Sequence, residues 1–133
     1  DALRAWGIQD ALVNVGGDLY ALGTSEDGDP WRVGVQDPDN PQALTATLRM
    51  SDRAVATSGD YQQYFEHEGR RYHHLLDPST GAPSRSTVRS VTVASASCLH
   101  ADAGATAAFV APTDRAPTMF AKIDPDMEVV YTV

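Results

Sequence analysis

Short strand-like runs of apolar residues recur along most of the chain, cut short by Gly, Pro, Asp and Ser, and in the clearest of them the apolar positions recur with the period of two that a strand requires. Strand-like runs occupy Ala11–Val15 and Leu19–Leu22, with Gly16-Gly17-Asp18 as a bend between them. "WRVGVQDP" (31–38) and "ALTATLRM" (43–50) continue the pattern, the second placing Leu44, Ala46, Leu48 and Met50 on one face. Ala54–Thr57 reads as a short strand followed by a bend at Ser58-Gly59-Asp60. Gln62–Glu66 and Arg71–Leu75 read as a hairpin around Glu68-Gly69. The β-branched run in "TVRSVTVASAS" (87–97) is the strongest strand signal, and "MEVVYTV" (127–133) closes the chain as another.

Three segments depart from this alternation. "SCLHADAGATAAFVA" (97–111) is rich in alanine, with Ser97 placed to cap its start and Pro112 to end it, so it predicts a helix. A second, shorter helix is expected over Asp114–Lys122. "DALRAWG" (1–7) reads as the last turns of another, with Leu3 and Trp6 three apart and Gly7 in the stop position. A helix already ending at the first residues predicts a protein that continues upstream. Strands joined by short turns, then a buried helix, give an α+β fold: one domain over 1–133, a mainly antiparallel sheet packed against one or two helices.

The 133 residues suit a single domain with a real core. The net charge of −8 and a single lysine, Lys122, with no basic cluster beyond Arg70-Arg71, argue against a grip on nucleic-acid phosphates. An acidic protein that binds an anion needs a cation or backbone amides to do so. The lone Cys98 cannot form an internal disulfide and reads as a packing residue. No run approaches the roughly 20 apolar residues that span a bilayer.

Three constellations could carry chemistry. Gly16-Gly17-Asp18 allows either a tight turn or a close approach of backbone to ligand. "HHLLDPSTG" (73–81) pairs two histidines with a turn rich in hydrogen-bonding groups. On a strand His73 and His74 would face opposite ways, so one of them at most serves a given site, and a neutral histidine is a competent base near neutral pH. Asp102 and Thr106, one helical turn apart, present a carboxylate and a hydroxyl on one face. These hard oxygen donors suit Mg²⁺ better than Zn²⁺. The small residues around them fit either tight helix–sheet packing or something bound against the helix.

In this order, "VNVGGDLYALG" (13–23), "WRVGVQDP" (31–38), "AVATSGDYQQYF" (54–65), "HHLLDPSTGAP" (73–83), "SVTVASAS" (90–97) and "ADAGAT" (101–106) resemble the ApbE family of FAD:protein FMN transferases. The resemblance covers nearly the whole chain. It implies FAD as substrate and Mg²⁺ as cofactor, with transfer of FMN through a phosphoester bond to Ser or Thr of an acceptor flavoprotein and release of AMP. An FAD pyrophosphatase and a catalytically incomplete flavin-binding fragment are the alternatives.

By the same resemblance, Asp102 and Thr106 are the Mg²⁺ ligands and His74 the base, with His73 a sheet-surface neighbour. Leu76 contacts FAD through its backbone, and Ser58, Asp77 and Thr80 belong to the cofactor site. The resemblance also implies an extracytoplasmic, often lipid-anchored location and an acceptor motif of the type D-x-x-(S/T)-G-A-T. Family members carry an upstream half, which makes this chain their downstream portion. Exposed strand edges in such a piece would favour pairing of two copies.

Overall fold

Five antiparallel strands form the main sheet, in the order β1-β2-β5-β8-β9. They are β1 (Ala11–Val15), β2 (Asp18–Leu22), β5 (Arg53–Gly59), β8 (Ser90–Ser95) and β9 (Glu128–Thr132). Two ribbons complete the strands: β3 (Trp31–Gln36) with β4 (Leu44–Met50), and β6 (Tyr64–His67) with β7 (Arg70–His73). The helices are α1 (Ala2–Ala5), α2 (Cys98–Val110) and α3 (Ala116–Phe120). This computed structural model describes residues 2–111, 115–120 and 122–133. Pro112 and Asp114, the expected end of one helix and start of the next, lie outside them.

The sheet is covered on both faces. Val91 and Val93 of β8 pack against Ala105, Ala108 and Phe109 of α2 and Phe120 of α3. On the opposite face Val55 and Ala94 pack with Ala21 against Val33 and Met50 of the β3–β4 ribbon. With both faces occupied, β8 is buried at every position, which is why its sequence runs apolar and small instead of alternating. The buried residues of α2 are Ala101, Gly104, Ala105, Ala108 and Phe109, and the first four are small enough for the helix to lie close on the sheet. A Cβ at Gly104 would stand 3.4 Å from both Met127 Sδ and Val93 Cγ1.

The ends of the helices follow their sequence signals. Gly7, at φ +81°, lets the Ile8 N–H reach back to the Leu3 carbonyl at 3.0 Å and the Gly7 N–H to Arg4 at 3.0 Å, a Schellman closure of α1. The Ser97 hydroxyl accepts from the His100 N–H at 3.2 Å and caps α2. Two expected bends are strand instead. Asp18 pairs with Val15 at the start of β2, because Gly16 and Gly17 alone make the turn. Ser58 and Gly59 pair with Val91 and Ser90 and extend β5. The chain bends only at Asp60, whose N–H donates to the Arg89 carbonyl at 3.1 Å.

Candidate functional site

Three elements converge at one end of β5. Alternation along that strand turns Ala54, Ala56 and Ser58 toward α2, where Ala54 and Ala56 pack on Ala101. Ser58, 8% exposed, meets the next polar position of the helix, and its Oγ lies 3.0 Å from Thr106 Oγ1. One turn earlier on α2, Asp102 is exposed on the same face. The tight Gly16-Gly17 turn, held by the Gly17 N–H donating to Asn14 Oδ1 at 3.1 Å, delivers Asp18 to the same place. Asp18, Ser58, His74, Leu76, Asp102 and Thr106 line a single cleft of about 440 Å³. The three sequence constellations are therefore one site. Partial burial, and then the charge of Asp102, raise the Asp18 carboxyl above its ordinary range. Two carboxylates and a hydroxyl thus face one space, a donor set that fits a hard divalent cation.

The two histidines divide by hydrogen bonding. His73 Nε2 lies 3.1 Å from the Ser84 carbonyl, which can only accept, so Nε2 carries the proton. Its Nδ1 then accepts from the Leu75 N–H at 3.3 Å. With both nitrogens engaged, the ring packs edge-on to Phe109 at 5.5 Å. The expectation of a sheet-surface residue is corrected: His73 is half-buried because Phe109 and the Ser84 carbonyl lie against its ring. His74 lies just past the end of β7 and is exposed. Its Nδ1 is 3.3 Å from the Gln63 carbonyl and so donates. That fixes the tautomer with the lone pair on Nε2, the form a general base needs.

The following turn is held together by its own side chains. Asp77 accepts from the Ser79 N–H at 2.8 Å and the Ser79 hydroxyl at 2.7 Å, and these bonds hold its carboxyl below the usual range. The Thr80 hydroxyl accepts from the Ala82 N–H at 3.3 Å. Asp77 and Thr80 thus shape the turn, with their oxygens committed locally. Leu76 and Thr106 also border an adjoining, more apolar depression of about 650 Å³, which Asp77, Pro78, Ala107 and Val110 help to line; Thr80 lies outside the lining of both.

Several features take their place only through the fold. Asp18 looked like part of a bend; counting a two-residue Gly-Gly loop would have placed it on a strand facing the site. The bend after β5 is tied to the β3–β4 loop by Arg89, which donates to Asp60 at 2.9 Å and Asp39 at 2.6 Å. These partners are up to 50 residues apart in sequence. A separate depression of about 590 Å³ beside Arg53 has polar groups that are already paired, Asp124 with Ser95 and Arg53 with Glu128, and it offers no comparable chemistry. Among the described residues, no three His, Cys, Asp or Glu side chains converge on a metal-sized space. Any cation here would use hydroxyl as well as carboxylate oxygen.

The model of the ApbE family matches residues 1–131. The chain belongs to the ApbE family. It is 41% identical over 116 residues to an FAD:protein FMN transferase of Vibrio cholerae, an alignment covering 86% of this chain and 35% of that protein. It is 40% identical over 111 residues to the Escherichia coli K12 protein of the same description, covering 83% and 32%. The crystal structure of the ApbE protein of Thermotoga maritima superposes with a TM-score of 0.82 at 37% identity, over 92% of this chain and 39% of that one. The flavin transferase ApbE of V. cholerae gives 0.80 at 35% identity, over 98% and 41%. These neighbours share the α+β arrangement. The chain spans about a third of the length of the curated relatives it matches, less than the half expected from the sequence.

Proposed function

We propose that the chain is the downstream, cation-binding portion of an FAD:protein FMN transferase. The observation that carries this reading is the convergence of Asp102, Thr106, Ser58 and His74 on one cleft, in a member of a family whose relatives are described by that activity. Asp102 and Thr106 would hold Mg²⁺, with Asp18 adding negative charge beside them. Bound there, the cation would supply neutralisation of the FAD pyrophosphate and of the charge developing on its oxygens. The lining of the cleft's polar part contains no arginine or lysine, so among side-chain groups a cation held on carboxylate and hydroxyl oxygen is what would offset that charge.

The chain's own residues do the rest. His74 Nε2 takes the proton from a Ser or Thr hydroxyl of the acceptor as that oxygen bonds to the FMN phosphorus. The pyrophosphate P–O bond breaks, and AMP leaves with the electron pair. The Leu76 backbone, Ser58 and the turn shaped by Asp77 and Thr80 hold FAD, with the apolar depression beside Leu76 and Val110 offering a surface for a planar ring. The acceptor carries a motif of the type D-x-x-(S/T)-G-A-T. On the family resemblance alone, the whole protein acts outside the cytoplasm, anchored at a membrane as a lipoprotein. Among the described residues, no helix is long and apolar enough to cross a membrane.

The test incubates the chain with FAD, Mg²⁺ and an acceptor protein bearing the motif, followed by intact mass and nucleotide analysis. An FMN adduct on the acceptor with one AMP released per adduct supports transfer. FMN and AMP without an adduct identifies a pyrophosphatase. FAD bound and left intact identifies an incomplete flavin-binding piece.

A further inference from the structure

A hydroxyl that ligates a cation must point a lone pair at it and give its proton to something else. Thr106 sits exposed on α2, where its hydroxyl could turn toward water as easily as toward a ligand. One buried side chain removes that freedom. Ser58 Oγ lies 3.0 Å from Thr106 Oγ1, on a strand bonded to β8 at Ser58↔Val91 and packed beneath α2. Either hydroxyl of such a pair can donate. When Thr106 donates to Ser58, both Thr106 lone pairs stay available to the cleft.

The backbone around Ser58 is built tightly. At Gly59 a Cβ would stand 2.5 Å from the Tyr61 ring and 3.2 Å from the Arg89 carbonyl, so the strand end that carries Ser58 is wedged between these groups. A rigid, desolvated hydroxyl is well suited to fixing the rotamer of an exposed one. We infer that Ser58 is a positioning residue: it accepts the Thr106 hydroxyl proton and so presents Thr106 to the divalent cation with a lone pair already facing the cleft. This rests on the reading of Asp102 and Thr106 as cation ligands. It assigns Ser58 a role through Thr106, beside its part in holding FAD.

The experiment measures Mn²⁺ affinity of the whole chain by electron paramagnetic resonance, with FAD present and again without it. Four proteins are compared: the parent, Ser58→Ala, Thr106→Ala and the double variant. Ser58→Ala is expected to weaken Mn²⁺ binding about tenfold, the usual effect of removing an outer partner of a metal ligand. The loss should appear with and without FAD, because it passes through the Thr106 hydroxyl and not through the flavin. The double variant should bind Mn²⁺ no more weakly than Thr106→Ala alone, because Ser58 acts through that hydroxyl. If Ser58→Ala melts early, Ser58→Cys, similar in size but a weak hydrogen-bonding partner, carries the same comparison.

Parent-like Mn²⁺ affinity in the Ser58 variant, with Thr106→Ala impaired, would overturn the positioning role and leave the cation site standing. So would additive losses in the double variant. No Mn²⁺ binding by the parent, or binding indifferent to Thr106→Ala, would overturn the cation site itself and the inference with it.

Discussion

His73 and His74 are adjacent in sequence and opposite in duty, and the difference is set by which nitrogens are already bonded. Replacing His73 by Ala leaves the Ser84 carbonyl and the Leu75 N–H without their partner and opens space beside Phe109. That should lower the stability of the chain by about 2–3 kcal/mol in urea denaturation. His74→Asn removes only an exposed ring, so its urea midpoint should match the parent while FMN transfer falls by roughly 100-fold or more. Retained transfer in that variant would remove His74 from the mechanism.

Asp124 makes a separate prediction at the same scale. The Ser95 hydroxyl at 2.5 Å, first, and the Ala96 N–H at 3.1 Å hold its carboxyl below the ordinary value of 3.8. A carboxyl lowered on folding contributes stability above its unfolded value and loses it as pH falls through the lower folded value. Asp124→Ala should therefore cost about 2–3 kcal/mol at neutral pH. The gap to the parent should close only below about pH 3.8, as followed by urea denaturation across a pH series.

At the scale of elements, regular pattern was legible and junctions were not. Ala11–Val15 has the bounds its strand-like run predicts, and the alanine-rich helix starts at its predicted Ser97 cap. Local physics decides those features. Asp18 and Ser58 were misplaced into bends because Gly-Gly and Ser-Gly-Asp look like turns in isolation, while pairing with a distant strand decides where a strand ends. Both residues face the cleft: Ser58 belonged to the expected cofactor site and Asp18 to one of the three constellations, while the strands that aim them were not legible.

Gly59 shows why that junction is sensitive. It needs no unusual φ; what it provides is room for the Tyr61 ring over the end of β5. Gly59→Ala should destabilise the chain by about 1–3 kcal/mol through overpacking, measured by chemical denaturation. It should also shift the Tyr61 resonances. An unchanged denaturation midpoint would mean the ring simply moves aside.

Across the whole molecule, the polar chemistry collects at one end of β5 while apolar surface remains open near α1 and β1. Trp6 is 87% exposed and Val15 73%, and β1 is an outer strand of the sheet. Open strand edges tend to pair, and we expect two copies of this chain to associate through β1. Sedimentation should then show a concentration-dependent dimer; a single monomeric species across a wide concentration range would contradict it. Open strand edges were expected, but not which strand would carry them, because nothing local in a run such as Ala11–Val15 says whether a neighbour covers it.

The most direct test of the account is an FAD titration of the whole chain, followed by flavin fluorescence, once with Mg²⁺ in excess and once with EDTA. The central claim is that the cleft holds FAD through a divalent cation on Asp102 and Thr106. It predicts saturable binding that requires Mg²⁺ and is lost in Asp102→Asn. Absence of binding with Mg²⁺ present, or binding indifferent to both EDTA and Asp102→Asn, would contradict it.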